Sequence, residues 1–552
     1  MPSGLLPNGS SAPTALATAN GLELQGIHPY TPLGIESSAK REDIPMRDFR
    51  GFESLIDEEY ARRTDHRFHA LGMRMDPRWF ELGRQYEEDR ARATRKQPWW
   101  SLTDMAWVVC LHDADVIDTP TAARLLNALE EIMDEESGTS GEERLAPILG
   151  DDMDTASIVN YGRTLQEPML RMQLRDLMLD LFDDLLEIME TVRGLASENL
   201  DAIMPGYTHL NQAQPITLAH YLVSVFDGLH RGLESFELAY RHTNRNTGGC
   251  GSCSGTTWPV DRWQLTRLLG FDDLVEPTYE CEAAQDHSLS ALFALTNICV
   301  LLSRVAMDMN IWGMDEIDMV RVNPKWAGVS SFMPQKCDTG SNFERTRLKA
   351  TDMIGQMFKC VTQLKGEPHA DMQAPFQLPQ RAMIGMADAR KCIGWMNAML
   401  KDLFPQKKRM LKIVRAGFSC ATELATHLVK EGIYGNRKAH SVVATMVRDA
   451  RVAGLKSYEC TGEMLDEAAE YLSLEPPRLD TSTVRRLLDP EQFIKSHLHV
   501  GGAAPRQTRR LLNVREDKLT EARERHEKRR ERLAEGEELL ERRVSEICGE
   551  DQ

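Results

Sequence analysis

The chain lacks the sequence features of several common protein classes. Its 552 residues carry a formal net charge of -18, which argues against a nucleic-acid surface and against a basic face that attracts membranes. No apolar run approaches the roughly 20 residues of a membrane span, and the first residues lack a charged-then-apolar signal pattern. We therefore expect a soluble, cytoplasmic protein without a membrane or nucleic-acid partner.

The cysteines and glycines lack the patterns of metal and nucleotide sites. Among the 11 cysteines, the nearest pairs are Cys250/Cys253 and Cys281/Cys299, and neither has a second half at metal-ligand spacing. Reduced core thiols are expected. The Gly-rich stretches lack the Gly-Lys-Ser/Thr ending and the preceding strand of a phosphate-binding loop. We predict no metal site and no nucleotide cofactor.

The length predicts more than one domain, because it exceeds the usual limit of a single core. The last segment interleaves Arg, Lys and Glu at helical spacing, which favours a solvated or partner-bound helix over a nucleic-acid-binding one. The predicted divisions are a disordered leader (1–48), an N-terminal helical domain (49–152), a central long-helix bundle carrying the catalytic loops (153–405), a C-terminal helical domain (406–505) and a charged helical tail (506–552).

Long helices with one apolar face are predicted for the central region. Apolar residues recur at three- and four-residue steps over 174–195, 222–236, 289–305 and 348–358. With little strand signal between them, these segments predict an all-α bundle. Apolar stripes of this length exceed what one bundle covers, which favours packing against sister subunits.

The turn-rich segment 328–347 carries paired hydroxyls, a lysine and several free backbone amides. Ser330 and Ser331 become bases or nucleophiles only if a cation or amide dipoles lower their pKa, and Lys336 follows close by. A helix-capping loop explains the same residues, because Ser-Ser is a common N-cap and Pro334 a common helix breaker.

A second polar segment, residues 204–215, is interpreted as a constrained loop between helices. It brings Thr208, His209 and three amide side chains into a dozen residues. Such a cluster suits a carboxylate ligand, and histidine side chains titrate near neutral pH. A lone histidine is also common as a structural residue. A third segment, 251–262, is interpreted as mainly structural, with Thr256 and Thr257 capping a helix that Pro259 opens.

The motif Ser-Ser-x-Met-Pro-Gln-Lys at 330–336 resembles the signature loop of the fumarase/aspartase superfamily, and the chain around it is most similar to the argininosuccinate lyase branch. The resemblance implies a long central helical bundle flanked by two smaller helical domains. It further implies a homotetramer with a shared helical core and active sites completed by loops from three subunits. It implies no metal or organic cofactor.

The resemblance also implies roles for individual residues. Ser330 is the general base, and Lys336 with the loop amides stabilises the doubly negative intermediate. Thr208 contacts a substrate carboxylate, and His209 serves the leaving group, oriented by a glutamate after the signature lysine. Further substrate-binding residues are expected at Ser331, Met333, Gln214, Arg163, Asn160 and Asp338.

The sequence departs from the branch at the substrate-binding positions. The family glutamate falls at Phe343, so either the loop has one extra residue and Glu344 takes the catalytic role, or the pairing is lost. Asp338 replaces the usual asparagine. Asn160 and Arg163 belong to a stretch that replaces the Ser-Arg-Asn pattern, and the Gln-Glu-Asp-Lys run expected after residue 366 is absent.

These observations predict a lyase of specialised metabolism. The expected reaction is the reversible anti β-elimination of a nitrogen leaving group from a succinyl-type, N-substituted aspartate-like substrate, releasing fumarate. Two alternatives stay open. One is argininosuccinate lyase itself, in arginine biosynthesis, and the other is a non-catalytic crystallin-like or scaffold tetramer.

Overall fold

A computed structural model describes residues 77–93, 98–133, 141–164, 168–323, 326, 332–333 and 341–549. The predicted leader and most of segment 328–347 lie outside these residues. The described chain is helical with short two-stranded sheets, which confirms the predicted all-α class.

Within its described residues, the N-terminal part contains five helices. They are α1 (Pro77–Arg92), α2 (Trp99–Asp113), α3 (Thr119–Glu131), α4 (Gly141–Ile148) and α5 (Met153–Ala156), followed by a 3-10 turn at Ser157–Asn160. The carboxylate of Asp118 caps α3 by accepting a hydrogen bond from the Thr121 amide at 3.0 Å.

Five long helices form the central bundle, where α6, α7, α10, α11 and α13 pack on one another. In chain order this region contains α6 (Met169–Glu198), β1 (Ile203–Thr208), β2 (Asn211–Thr217), α7 (Leu218–Thr243), β3 (Arg245–Asn246), α8 (Arg262–Leu268), β4 (Asp273–Leu274), α9 (Thr278–Ala283), α10 (Asp286–Trp312), β5 (Val320–Val322), α11 (Ser341–Lys365), α12 (Gln373–Phe376), α13 (Leu378–Lys401) and β6 (Leu403–Pro405). Strands β1 and β2 pair antiparallel, as do β5 and β6, while β3 and β4 pair in parallel.

Shorter helices and one long helix complete the chain. They are α14 (Lys407–Ala416), α15 (Ala421–Lys430), α16 (Asn436–Val452), a 3-10 turn at Ser457–Glu459, α17 (Gly462–Tyr471), α18 (Thr481–Leu487), α19 (Pro490–Ser496) and α20 (Pro505–Cys548).

The described residues bury three main apolar clusters. The central core is formed by the long helices around Phe182, Phe226 and Leu295. The N-terminal core surrounds Trp107 and Leu125. The C-terminal core joins α15 to α18 around residues such as Leu424 and Met446. The predicted domain boundaries themselves stay a prediction.

Helix α20 packs along its own chain. Its Leu512, Leu519 and Ala522 belong to the central core, and near its end Leu540 and Ile547 belong to the N-terminal core. The partner of the predicted partner-bound helix is therefore the rest of the same protomer, and α20 fastens the N-terminal helices to the bundle.

Ion pairs add to these apolar contacts. The guanidinium of Arg515 donates to both carboxylate oxygens of Asp227, at 3.0 and 2.5 Å, and Arg529 donates to Glu237 at 2.8 Å. The bidentate Arg515–Asp227 pair fixes the position of α20 along α7.

Helix α10 is long and apolar enough to span a membrane by length and composition, which corrects the expectation that no apolar run approaches that length. In the protein, 56% of its apolar window is buried, and it packs against α7, α11 and α13. Core helices of water-soluble proteins pass the same test, so α10 is weak evidence for a membrane.

Helix α11 buries a different face from the one marked by its apolar pattern. Phe343 and Met353 are buried in the central core, whereas Leu348, Ile354 and Phe358 are 59%, 44% and 70% exposed. The expectation that these last three residues mark a buried face is wrong within one protomer.

A buried charge network attaches α1 to the bundle. Arg390 of α13 donates hydrogen bonds to Asp184 at 2.7 Å, to Asp89 at 3.0 Å and to Asp180 at 3.1 Å. Burial raises the pKa of Asp184 to about 6, and Arg390 opposes that rise. The folded protein therefore binds a proton at Asp184 more tightly than the unfolded chain does.

This shift predicts the direction of a pH effect on stability. Asp184 contributes stability below about pH 4, and that contribution is lost as the pH rises through about 6. Between pH 5 and pH 8, wild type should lose about 1–2 kcal/mol more unfolding free energy than Asp184→Asn does, as measured by urea denaturation. The exposed Asp517→Asn is the control, and an unchanged pH dependence in Asp184→Asn would contradict the assignment.

Candidate active site

The segment containing Thr208 and His209 forms a β-hairpin, which corrects the expectation of a loop between helices. Strands β1 and β2 pair with Thr208 opposite Asn211, and the register shifts between Pro205 and Tyr207. The hairpin packs against α14 and α19, so its base is held while its tip projects from the protomer.

The two-residue turn of this hairpin has a strained backbone. His209 and Leu210 have φ values of 53° and 61°, and neither is a glycine. Hairpins with two-residue turns require positive φ at the turn, where Asn and Gly are the usual residues. Non-glycine residues in this region cost on the order of 1–3 kcal/mol each, and such strain clusters at functional sites.

The tip presents polar side chains to the surface. Thr208, His209 and Gln214 are exposed, and Gln214 donates a hydrogen bond to the Thr422 hydroxyl at 3.3 Å. Within the described residues, no group makes a hydrogen bond or ion pair with the His209 ring. The described part of the protomer therefore leaves the Thr208 and His209 side chains available to a ligand or to another subunit.

A cavity of about 730 Å³ lies between the hairpin and helices α7 and α10. Thr208 and Gln214 line its rim. Deeper in, the Tyr221 hydroxyl donates to Asp308 at 2.7 Å, and the Tyr221 ring packs edge-on against Trp312 at 4.8 Å. Burial and the Asp308 carboxylate raise the pKa of Tyr221, so the phenol stays neutral, with its proton donated to Asp308.

Tyr221 and Asp308 were not anticipated from the sequence. One feature of the sequence could have indicated them: Asp308 lies within the most apolar helix of the central region, where a carboxylate needs a buried partner.

Gly206 allows the two strands to approach at the register shift. A Cβ atom at this position would lie 2.8 Å from the backbone oxygen of Gln214. We expect Gly206→Ala to displace the tip, lowering both turnover and the unfolding free energy, the latter by about 1–3 kcal/mol.

Steady-state rates and urea denaturation would measure these effects. Gly194→Ala is the matched control, because nothing lies within 4 Å of a Cβ atom there and alanine favours the helix. Equal behaviour of the two variants would show that the hairpin does not need the close approach at Gly206.

Two predicted substrate-binding residues, Asn160 and Arg163, contact the N-terminal helices, and no described hydrogen bond joins either to the hairpin. Arg163 donates to Asp104 at 2.5 Å, and both side chains are 2% exposed. The Asn160 side-chain amide donates to Glu142 at 2.7 Å, while its amide oxygen Oδ1 is buried with no hydrogen-bond partner among the described residues. Arg163 therefore has a structural partner, and the binding roles of both residues stay predictions.

Within the signature motif 330–336, only Phe332 and Met333 are described. Ser330, Ser331, Lys336 and Asp338 lie outside the described residues, while Met333 is 38% exposed. Their roles stay predictions.

The start of α11 bears on the displaced glutamate. Phe343 is 2% exposed in the central core and Glu344 is exposed in the first turn. Of these two residues, the glutamate is therefore the exposed one, as expected if the loop has one extra residue and Glu344 takes the catalytic role. No described contact joins Glu344 to His209 within the protomer.

In the third segment, 251–262, the residue that caps the helix differs from the predicted one. Asp261 caps helix α8 by accepting from the Trp263 amide at 2.9 Å, so Thr256 and Thr257 do not cap it. Trp258 stacks on Tyr161 with ring centroids 5.1 Å apart, which attaches this segment to the N-terminal part.

Comparison with known proteins identifies the family. A family profile described as Lyase matches residues 125–355, and one described as Argininosuccinate lyase C-terminal matches residues 418–495. Argininosuccinate lyase from Methanothrix thermoacetophila is 32% identical over 448 residues, covering 78% of this chain and 90% of that protein. The chain is an argininosuccinate lyase-like member of the fumarase/aspartase superfamily. Argininosuccinate lyase 1 from Shouchella clausii is 30% identical over 378 residues, covering 68% of this chain and 75% of that protein.

Solved structures agree with this placement in the argininosuccinate lyase-like group. EDDS lyase in complex with formate is 27% identical with a TM-score of 0.79, covering 86% of this chain and 96% of that one. A variant of EDDS lyase with bound fumarate has a TM-score of 0.78 at the same identity and coverage. Class II fumarase from Schistosoma mansoni, at 13% identity and a TM-score of 0.59, shares the fold. The predicted enzyme class, a carbon-nitrogen lyase, is confirmed.

Proposed function

We propose that this carbon-nitrogen lyase eliminates a nitrogen leaving group from an N-substituted aspartate-like substrate and releases fumarate. The hairpin carries the proposal, because it presents Thr208 and His209 outward beside a cavity on a non-glycine turn with positive φ, and backbone strain of this kind clusters at functional sites. The retained Ser330 and Lys336 supply the proton-abstracting half of the reaction.

The chemistry assigns a step to each of these groups. Ser330, activated by Lys336, removes the proton beside a substrate carboxylate, and the second negative charge that develops there is stabilised by Lys336 and the loop amides. Thr208 holds a carboxylate of the substrate. His209, oriented by Glu344, assists departure of the amine, directly or through a water molecule.

We further propose a homotetramer whose active sites combine loops from several subunits. On α10, the exposed residues Phe293, Val300 and Met307 recur at seven-residue steps, and on α11 Leu348 and Phe358 are exposed. Faces of this kind are typical of subunit interfaces. The same arrangement accounts for the exposure of His209 and Glu344 without a contact between them inside one protomer.

The substrate differs from argininosuccinate in this proposal. Helix α11 ends at Lys365, and the following Asp371 and α12 occupy the place of the Gln-Glu-Asp-Lys run that the branch uses for the distal end of its substrate. Loss of that lysine and of the Ser-Arg-Asn pattern favours a different amine, in specialised metabolism and in the cytoplasm. Argininosuccinate lyase activity is the second candidate, favoured by the relatives at 30% and 32% identity.

A substrate panel tests the proposal. The purified protein is incubated with fumarate and a series of amines, and separately with argininosuccinate, while the fumarate absorbance and the product masses are followed. We expect addition of at least one amine to fumarate and no turnover of argininosuccinate. Turnover of argininosuccinate would establish the second candidate. Silence across the panel, with Ser330→Ala binding fumarate as wild type does, would favour a scaffold.

A further inference from the structure

Two cysteines that the proposed elimination does not use meet beneath the third segment. Cys250 is fully buried and Cys281, on α9, is 7% exposed. Cys250, Val275 and Cys281 form one small buried cluster, so the two cysteines lie together although 31 positions separate them in the sequence. The Cys250 sulfur also lies 3.1 Å from a carboxylate oxygen of Glu282.

A fixed guanidinium faces the second sulfur. Arg262 Nη2 lies 3.2 Å from Cys281 Sγ. The same side chain donates to the backbone oxygens of Gly248 at 2.9 Å, Val275 at 2.9 Å and Glu276 at 3.1 Å. These three hydrogen bonds hold the positive charge in place, so it stabilises a thiolate without a cost of reorganisation.

The electrostatics distinguish Cys281 from other buried thiols of the chain. The hydrogen bond from Cys250 and the charge of Arg262 lower the pKa of Cys281 to about 7, against the effect of burial. Burial instead raises the pKa of Cys110, and it raises the pKa of Cys420 to about 12. A buried thiol without such contacts is inert, whereas a stabilised thiolate is a nucleophile at neutral pH.

We propose that Cys281 and Cys250 form a peroxide-sensitive dithiol that closes to a reversible disulfide. The Cys281 thiolate attacks one oxygen of a hydroperoxide, an S–O bond forms as the O–O bond breaks, and the departing hydroxide or alkoxide takes a proton from solvent to become water or alcohol. The sulfur is left as a sulfenic acid. Cys250 then passes its proton to Glu282 and attacks the Cys281 sulfur, so that an S–S bond forms and hydroxide leaves, taking up that proton as water.

The disulfide would join the glycine-rich turn at 248–255 to α9. These two segments already touch, because the Thr278 hydroxyl donates to the backbone oxygen of Cys253 at 2.8 Å. Cys253 itself forms a C-x-x-C spacing with Cys250 but is exposed, and within the described residues no hydrogen bond or cation reaches its sulfur. The geometry therefore favours Cys281 over Cys253 as the partner of Cys250.

Oxidation of the reduced, full-length protein tests the pair. After treatment with a small molar excess of hydrogen peroxide, remaining thiols are alkylated and peptides are identified by mass spectrometry. We expect a peptide pair linked through Cys250 and Cys281, reversed by dithiothreitol and retained in Cys253→Ser. In Cys250→Ser, oxidation should stop at a Cys281 sulfenic acid that dimedone traps. A Cys250–Cys253 link, or oxidation confined to Cys253, would overturn the proposal.

The rate of alkylation gives a second measurement, in which Cys250 and Cys281 are both left unchanged. In wild type, the rate at which iodoacetamide modifies Cys281 should be half-maximal near pH 7. Arg262→Lys should slow the reaction at pH 7 by up to roughly tenfold, because a single ammonium group replaces only part of the contacts that the guanidinium makes. Helical circular dichroism confirms that the variant is folded. A Cys281 that reacts only above pH 9 in wild type would equally overturn the proposal.

Discussion

Replacing Ser330 with alanine is expected to lower kcat by about 10²–10⁴-fold, with a small effect on KM. Ser330 is proposed to act only when the proton leaves the substrate, so its loss removes an interaction of the transition state and not of the bound substrate. Initial rates of fumarate formation or consumption at saturating substrate measure the effect. Cys337→Ser, in the same loop, is the matched control and should retain wild-type turnover.

A mixing experiment tests the proposal that subunits share active sites. The Ser330→Ala and His209→Ala proteins are each expected to have little activity. If the two residues of one site come from different subunits, then dissociating and reassociating a mixture should restore part of the activity. No recovery in tetramers shown to be mixed would contradict the shared sites, although it would leave Ser330 as the base.

Removing residues 506–552 is expected to cost more than 5 kcal/mol of unfolding free energy, enough to prevent isolation of a stable protein. The helix buries Leu512, Leu519, Leu540, Val544 and Ile547 in two different cores, and each buried side chain of this kind contributes about 1.5–3 kcal/mol. Soluble yield and the thermal unfolding midpoint measure the effect.

A milder variant separates packing from charge in the same helix. Leu519→Ala, at a site 1% exposed, should destabilise by about 2–5 kcal/mol. The double replacement Glu521→Gln and Glu524→Gln, at exposed positions of the same helix, should leave the unfolding midpoint close to that of wild type. A truncated protein as stable as the full chain would show that α20 is dispensable.

The long helices follow from the sequence because their apolar periodicity is strong. The segments 174–195 and 289–305 lie inside α6 and α10, and their apolar residues are mostly buried. Which stripe would be uncovered, here Leu348 and Phe358 on α11, could not be predicted, because periodicity marks an apolar face without saying whether the same chain or another subunit covers it.

The hairpin was missed because its turn lacks the usual residues. A two-residue turn is expected at Asn-Gly or Asp-Gly, and here it is made by His209 and Leu210. Packing of the strands against α14 overrides the local preference.

The partner of α20 was missed because charged residues dominate the segment. Its sparse inward-facing residues nevertheless recur at seven-residue steps, which is the spacing of a helix lying along other helices. These residues are Leu512, Leu519, His526, Leu533, Leu540 and Ile547.

One measurement tests the central claim directly. Fumarate and an accepted amine are incubated with the protein in D₂O, and the N-substituted aspartate is examined by proton NMR. Reversible anti elimination predicts one deuterium at a single prochiral position of the methylene carbon, with no product from Ser330→Ala. Adduct without deuterium, deuterium divided between both positions, or no adduct with any amine would contradict a fumarate-releasing lyase of this mechanism.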